Sequence, residues 1–195
     1  STVCANVTVP ANWNDPLSPS VFVHVSLARV AAPVGTVWFL NGGSGVASEC
    51  LAGSSIVAFL NSLGFDVGLP DFRGTGLSWP NLYCPGDPQG YNVPTIACAA
   101  YLNATLGTAG MYNFSITMAS HDLAFLIQSL SRTGSATFIQ TDSFGSFWGQ
   151  RFLEIYPAML AGAVIESFGV PNRWNYFEAA DNIDWAVRRT LQYCS

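Results

Sequence analysis

Three short stretches of the chain carry the residue types of acyl-transfer chemistry. The sharpest is Thr141-Asp142-Ser143-Phe144-Gly145, where a serine stands between a β-rich run and a helical one. A strained strand-to-helix turn lifts such a hydroxyl above a sheet, and small neighbours let the chain pass close by, so Ser143 is the candidate nucleophile. The usual pattern has glycine on both flanks, and Thr141 takes the first of these positions here. The second stretch is Asn41-Gly42-Gly43-Ser44-Gly45, whose backbone N–H groups, with that of Phe144, can hold the oxyanion of an acyl-transfer intermediate. The third is Asp71-Phe72-Arg73-Gly74-Thr75-Gly76-Leu77-Ser78, in which an aspartate and an arginine can bridge across a glycine turn. Each also has a plainer reading, as a tight turn, a flexible connection and a structural brace.

These stretches need elements to position them. Residues 3–9 and 21–30 alternate apolar and polar side chains as an antiparallel hairpin does, with 12–16 as its turn. Residues 35–40 form a short apolar run that feeds the glycine-rich loop, and a helix is expected over 48–63. Residues 66–70 read as the next strand, followed by the 71–78 turn and an irregular excursion to about residue 100. The clearest helix spans 116–130, with Met118, Leu123, Leu126, Ile127 and Leu130 on one face. A strand at 136–140, a helix at 146–157 and a strand at 161–167 complete the pattern. Strands alternating with helices imply a largely parallel sheet covered on both faces, an α/β architecture.

Composition narrows the function. The 195 residues suit one domain with a large core, since half are hydrophobic and only 10% are charged. Seven arginines face twelve acidic residues for a net charge of −5, and no lysine occurs, so the basic stripe of a nucleic-acid binder is missing. The longest apolar run, 158–165, falls far short of the roughly 20 residues that span a bilayer. Five cysteines (4, 50, 84, 98 and 194) suit a disulfide-bearing secreted or lumenal protein, and their odd number leaves one unpaired within the chain. The opening Ser1-Thr2-Val3-Cys4 is expected of a mature, processed product. Sequons at Asn6, Asn103 and Asn113 are candidate glycosylation sites. No His, Cys or acidic cluster has metal-ligand spacing, and no cofactor is expected.

In this order and spacing the three stretches resemble the α/β-hydrolase fold, and within it the prolyl aminopeptidase and tripeptidyl aminopeptidase group of serine peptidases. The resemblance includes Cys4-Ala-Asn-Val-Thr-Val-Pro10 and Trp13-Asn-Asp-Pro16, Asp122-Leu123 before the serine, Gln150-Arg151-Phe152 after it, and Tyr156-Pro157. It implies an N-terminal part of the hydrolase core over 1–170, with 171–195 as the start of a helical lid. It implies Ser143 as nucleophile, amides of Gly43 and Phe144 as oxyanion hole, and Asp71, Arg73, Gly74 and Gly76 as a structural turn near the site.

In this fold the serine is followed by an acid and then a histidine. The two histidines, His24 and His121, both precede Ser143, and Glu166 is more in keeping with a non-triad acid. The resembling group carries its acid and histidine further along, so the chain is expected to be the nucleophile-bearing part of a secreted or lysosome/vacuole-like serine hydrolase of aminopeptidase type. Its acid and base would come from the missing C-terminal part, as a second chain or as the rest of a longer one. The resemblance pairs Cys84 with Cys98, Cys4 and Cys50 are expected to pair next, and Cys194 is left to link the two chains. The competing expectation is a catalytically inactive, hydrolase-derived structural or binding component.

Overall fold

The computed structural model describes residues 1–43, 45–86, 95–167, 169 and 189, with the side chains of 49 and 50 outside that description. The opening alternation becomes a hairpin of β1 (Thr2–Pro10) and β2 (Ser20–Ala28), paired antiparallel from Thr2↔Ala28 to Pro10↔Ser20. Four strands follow: β3 (Gly35–Leu40), β4 (Phe65–Pro70), β5 (Ala136–Thr141) and β6 (Gly162–Ile165). The sheet order is β1-β2-β4-β3-β5-β6. β2 meets β4 antiparallel, whereas β4, β3, β5 and β6 run parallel, as expected.

Parallel neighbours need crossovers, and helices supply them. α1 (Ser55–Ser62) lies between β3 and β4, capped by the Ser54 hydroxyl, and buries Val57 and Leu60 with Val37, Phe39, Val67 and Leu69. α3 (Ile116–Leu130) and α4 (Phe144–Ile155) cover the opposite face. There Val21, Val23, Val25, Leu27, Trp38, Leu40 and Ile139 pack on Leu123, Leu126, Trp148 and Phe152. The expected helix over 48–63 divides in two, a 3-10 turn at Ser48–Leu51 and α1. A helix the sequence reading left out, α2 (Ile96–Met111), follows the excursion. It buries no side chain and kinks at Gly107, so its residues show no amphipathic period to read.

At the amino-terminal end of the sheet, buried Asp66 accepts from Arg29, Arg132 and the Val30 amide at 2.8–3.0 Å. Burial alone would raise its carboxyl, but the Val30 amide and the two guanidiniums outweigh burial and hold it below the usual carboxylate range.

Cys84 and Cys98 form a disulfide with Cα atoms 5.5 Å apart, tying the excursion to the first turn of α2. Cys4 corrects the second expectation. It is a free, exposed thiol, because the β1–β2 register sets it opposite Ser26, with Sγ 3.4 Å from Ser26 Oγ, so no Cys4–Cys50 bridge forms. The sequon asparagines Asn6 and Asn103 are exposed and Asn113 is half-buried. Cys194 and, apart from residue 189, the expected lid over 171–195 lie outside the described residues. Among the described residues no helix is long and apolar enough to cross a membrane, and no cluster of three or more His, Cys, Asp or Glu side chains suits a metal.

Candidate active site

The loops after β3, β4, β5 and β6 all leave the carboxyl ends of parallel strands, where open α/β sheets bind their ligands. Three of them are the stretches singled out in the sequence.

Ser143 occupies the turn between β5 and α4 with φ 48° and ψ −116°, a region that costs a non-glycine residue about 1–3 kcal/mol. Its side chain is exposed and engages no partner among the described residues. The turn is closed by the Gly145 amide on the Asp142 carbonyl (2.8 Å) and the Ser146 amide on the Ser143 carbonyl (2.9 Å). The Phe144 amide, first in the helix, has no partner among the described residues and stands at the positive end of the α4 dipole. A serine hydroxyl beside a free helix N-terminal amide is suited to attack a carbonyl and hold the oxygen that becomes charged.

Two glycines let this turn sit where it does. A Cβ on Gly145 would fall on the Leu40 carbonyl, so α4 starts directly against the end of β3. A Cβ on Gly42 would come 2.9 Å from the Ser143 Cβ and 2.7 Å from Asp142 Oδ2, so the glycine-rich loop passes against the elbow. Gly43 follows with φ +74°, and Ser44 lies outside the described residues. Thr141, in the place where the resembling group has glycine, is fully buried. Its methyl lies 2.5 Å from where a Cβ on Gly149 would be, so the bulk is accommodated by a missing side chain in the second turn of α4. Its hydroxyl accepts from the Glu166 amide (3.3 Å) and ties β5 to the end of β6.

The 71–78 turn braces this arrangement, though not as an Asp–Arg bridge across the turn. Asp71 accepts the amides of Ser48 (2.6 Å) and Leu77 (2.8 Å), while Arg73 reaches the opposite way. Its five N–H donors go to Asp122 twice and to the carbonyls of Ala11, Asn113 and Pro10. Trp13 Nε1 donates to the same carboxylate at 2.8 Å. Burial pushes the Asp122 carboxyl up, against the pull of Arg73 and Trp13. Phe72, between Asp71 and Arg73, packs edge-on against Phe144 and Trp148, with ring centroids 5.5 and 5.3 Å apart. Gly74 and Gly76 have φ of +82° and +56°, and a Cβ on Gly76 would strike the Asp71 carboxylate.

One residue here carries no signal in the sequence. Tyr83 accepts the Gly76 amide (2.9 Å) and donates to the Gly45 carbonyl (3.1 Å), clamping the glycine-rich loop to the 71–78 turn. It stands in a proline-rich excursion, without a motif. Gly149 was legible only as the i+4 partner of Gly145 on one helix face.

Neither histidine serves Ser143. His24, on β2, donates from Nδ1 to Asn6 Oδ1 (2.7 Å), and its Nε2 is buried without a partner among the described residues. His121, on α3, shares a 2.5 Å hydrogen bond with the Tyr156 hydroxyl and packs between Trp13 and Tyr156. Burial, with the charges of Arg73 and Arg151, lowers its pKa against the pull of Asp122. Burial likewise raises that of Tyr156. Glu166 is exposed just beyond β6, at the carboxyl end of the sheet.

Solved structures share the fold. The chain superposes on an epoxide hydrolase from Vigna radiata with a TM-score of 0.54 at 18% identity, covering 92% of this chain and 45% of that one. For a proline iminopeptidase from Mycobacterium smegmatis the TM-score is 0.53 at 17% identity, covering 83% and 43%. A laboratory-evolved variant of potato epoxide hydrolase gives 0.56 at 15%, covering 93% and 46%. The chain has the α/β-hydrolase fold. It spans under half the length of these three α/β-hydrolases. No protein-family model and no curated protein matches it.

Proposed function

We propose that this chain is the nucleophile-bearing part of a serine hydrolase, an aminopeptidase-type exopeptidase in which Ser143 attacks the scissile carbonyl. The observation that carries the reading is the exposed, unengaged hydroxyl of a strained Ser143 beside the unpartnered Phe144 amide. The amides of Phe144 and Gly43 hold the oxyanion, and α4 adds the positive end of its dipole. The general base is a histidine, with its acid partner, from the remainder of the hydrolase, since His24 and His121 are engaged elsewhere. The proton of Ser143 passes to that histidine on attack and returns to the leaving amine.

The remainder carries the acid and the histidine, and the hydrolase works outside the cell or in a lysosome-like lumen. The Cys84–Cys98 bridge and the exposed sequon asparagines Asn6 and Asn103 support that setting. Peptidase rather than another hydrolase rests on the sequence resemblance, with the proline iminopeptidase among the structural neighbours in keeping with it.

The test is labelling of the native protein with a fluorophosphonate and mapping of the modified peptide. Modification at Ser143 is expected. A folded, unlabelled protein would overturn the reading and favour the structural component.

A further inference from the structure

Beside the elbow lies a cavity of about 260 Å³, lined by Gly45, Phe72, Gly74, Leu82, Tyr83 and Phe144, with Arg73 and Thr75 at its wall. It is bounded by all three motif loops and by the excursion that the Cys84–Cys98 bridge ties down. Its character is decided by what the polar groups on its wall are already doing. All five donors of Arg73 are bonded to Asp122 and to three carbonyls, and the residue is 2% exposed. The Thr75 hydroxyl donates to the Phe72 carbonyl (2.8 Å), and the Tyr83 hydroxyl bonds both Gly76 and Gly45. The rings and aliphatic groups of Phe72, Leu82, Tyr83 and Phe144 are left to meet a ligand.

Size narrows the occupant. A dry cavity of about 150 Å³ admits benzene, so this one takes a single ring system with its linker. It lies below the range of roughly 300–1,000 Å³ typical of sites for larger ligands. We infer that this cavity is a specificity subsite for one uncharged apolar or aromatic side chain of the substrate, next to the bond that Ser143 cleaves. A carboxylate gains no partner there, because the cation at the wall has no free donor and is already neutralised by Asp122. The inference rests on the reading of Ser143 as nucleophile only for what the pocket serves, since its affinity for an apolar group is a property of the walls.

The experiment uses indole and indole-3-acetate with the native protein. Binding is followed by ligand-observed NMR, and function by protection of Ser143 from fluorophosphonate labelling. Saturable indole binding is expected, with labelling slowed at least ~10-fold at saturation, in the range that one apolar group contributes to discrimination. Indole-3-acetate is expected to do neither. Leu82→Trp fills the cavity and removes indole binding and protection, and Leu82→Ala weakens both by removing a wall, so either variant suffices if the other fails to fold. Absent indole binding, binding that survives both substitutions, or equal binding of the carboxylate would each overturn the subsite. Indole binding lost in the variants, with no labelling of Ser143 in any protein, would instead uphold the apolar pocket and overturn the nucleophile. Binding without protection would overturn its place beside the scissile bond.

Discussion

Two turns leave the carboxyl end of the same sheet on either side of β3, and they are built on opposite principles. After β4, Asp71 accepts two backbone amides and Arg73 makes five hydrogen bonds, so its charge is fully bonded and buried. After β5, Ser143 sits in a strained conformation with its hydroxyl exposed, and the next amide is unpartnered among the described residues. The first turn puts its polar groups to use in folding. The second withholds them from folding, which is the arrangement a reacting group needs. Charge is therefore a poor guide to the chemistry here: the conspicuous Asp and Arg are the brace, and an uncharged serine is the reacting candidate.

The contrast can be broken from either side. The largest effect is expected for Ser143→Ala, which should lower fluorophosphonate labelling and turnover on the order of 10⁶-fold, while the thermal midpoint moves little because the side chain is exposed. Arg73→Met should do the converse. It leaves Asp122 buried without its counterion and should cost about 3–5 kcal/mol in denaturant unfolding, with any activity lost only alongside the fold.

The opposite end of the sheet offers a third comparison. Asp66→Asn should cost about 2 kcal/mol at neutral pH, the scale of charged hydrogen bonds. Because the folded state holds the Asp66 carboxyl below its unfolded value, its contribution is complete above that unfolded value and lost as pH falls through the lower, folded one. Denaturation midpoints across the acid range should therefore fall less steeply in Asp66→Asn than in the unaltered protein. The smallest effect sharpens the elbow itself. Ser143→Gly relieves the positive φ and should stabilise by about 1 kcal/mol while abolishing labelling, a gain that Ser143→Ala would not share.

Much of this was legible in the residues. The apolar run ahead of Gly42 gave β3 because a short continuous run bounded by a glycine turn suits a strand buried on both faces, and the β-rich residues ahead of Ser143 gave β5. The periodic side chains of 116–130 gave α3 at its observed limits. What escaped was whatever lacked a period or depended on distant register. α2 buries nothing and so has no pattern. The partner of Cys4 was set by strand pairing, which placed Ser26 opposite it. Arg73 was assigned to its neighbour Asp71, yet it bonds Asp122, 49 residues on, a contact made only when α3 packs over the hairpin. Tyr83 does its clamping from a segment whose composition says only that it is irregular.

The pairing of Thr141 with Gly149 reaches into how such chains are found and redesigned. A pattern demanding glycine two places before the serine passes over this elbow, although the volume a glycine would have supplied there is supplied eight residues later. The two positions act as one steric unit read across a strand and a helix. Exchanging them together, Thr141→Gly with Gly149→Ala, should be far better tolerated than Gly149→Ala alone, and a search template that lets this vacancy migrate would recover elbows that a linear motif discards.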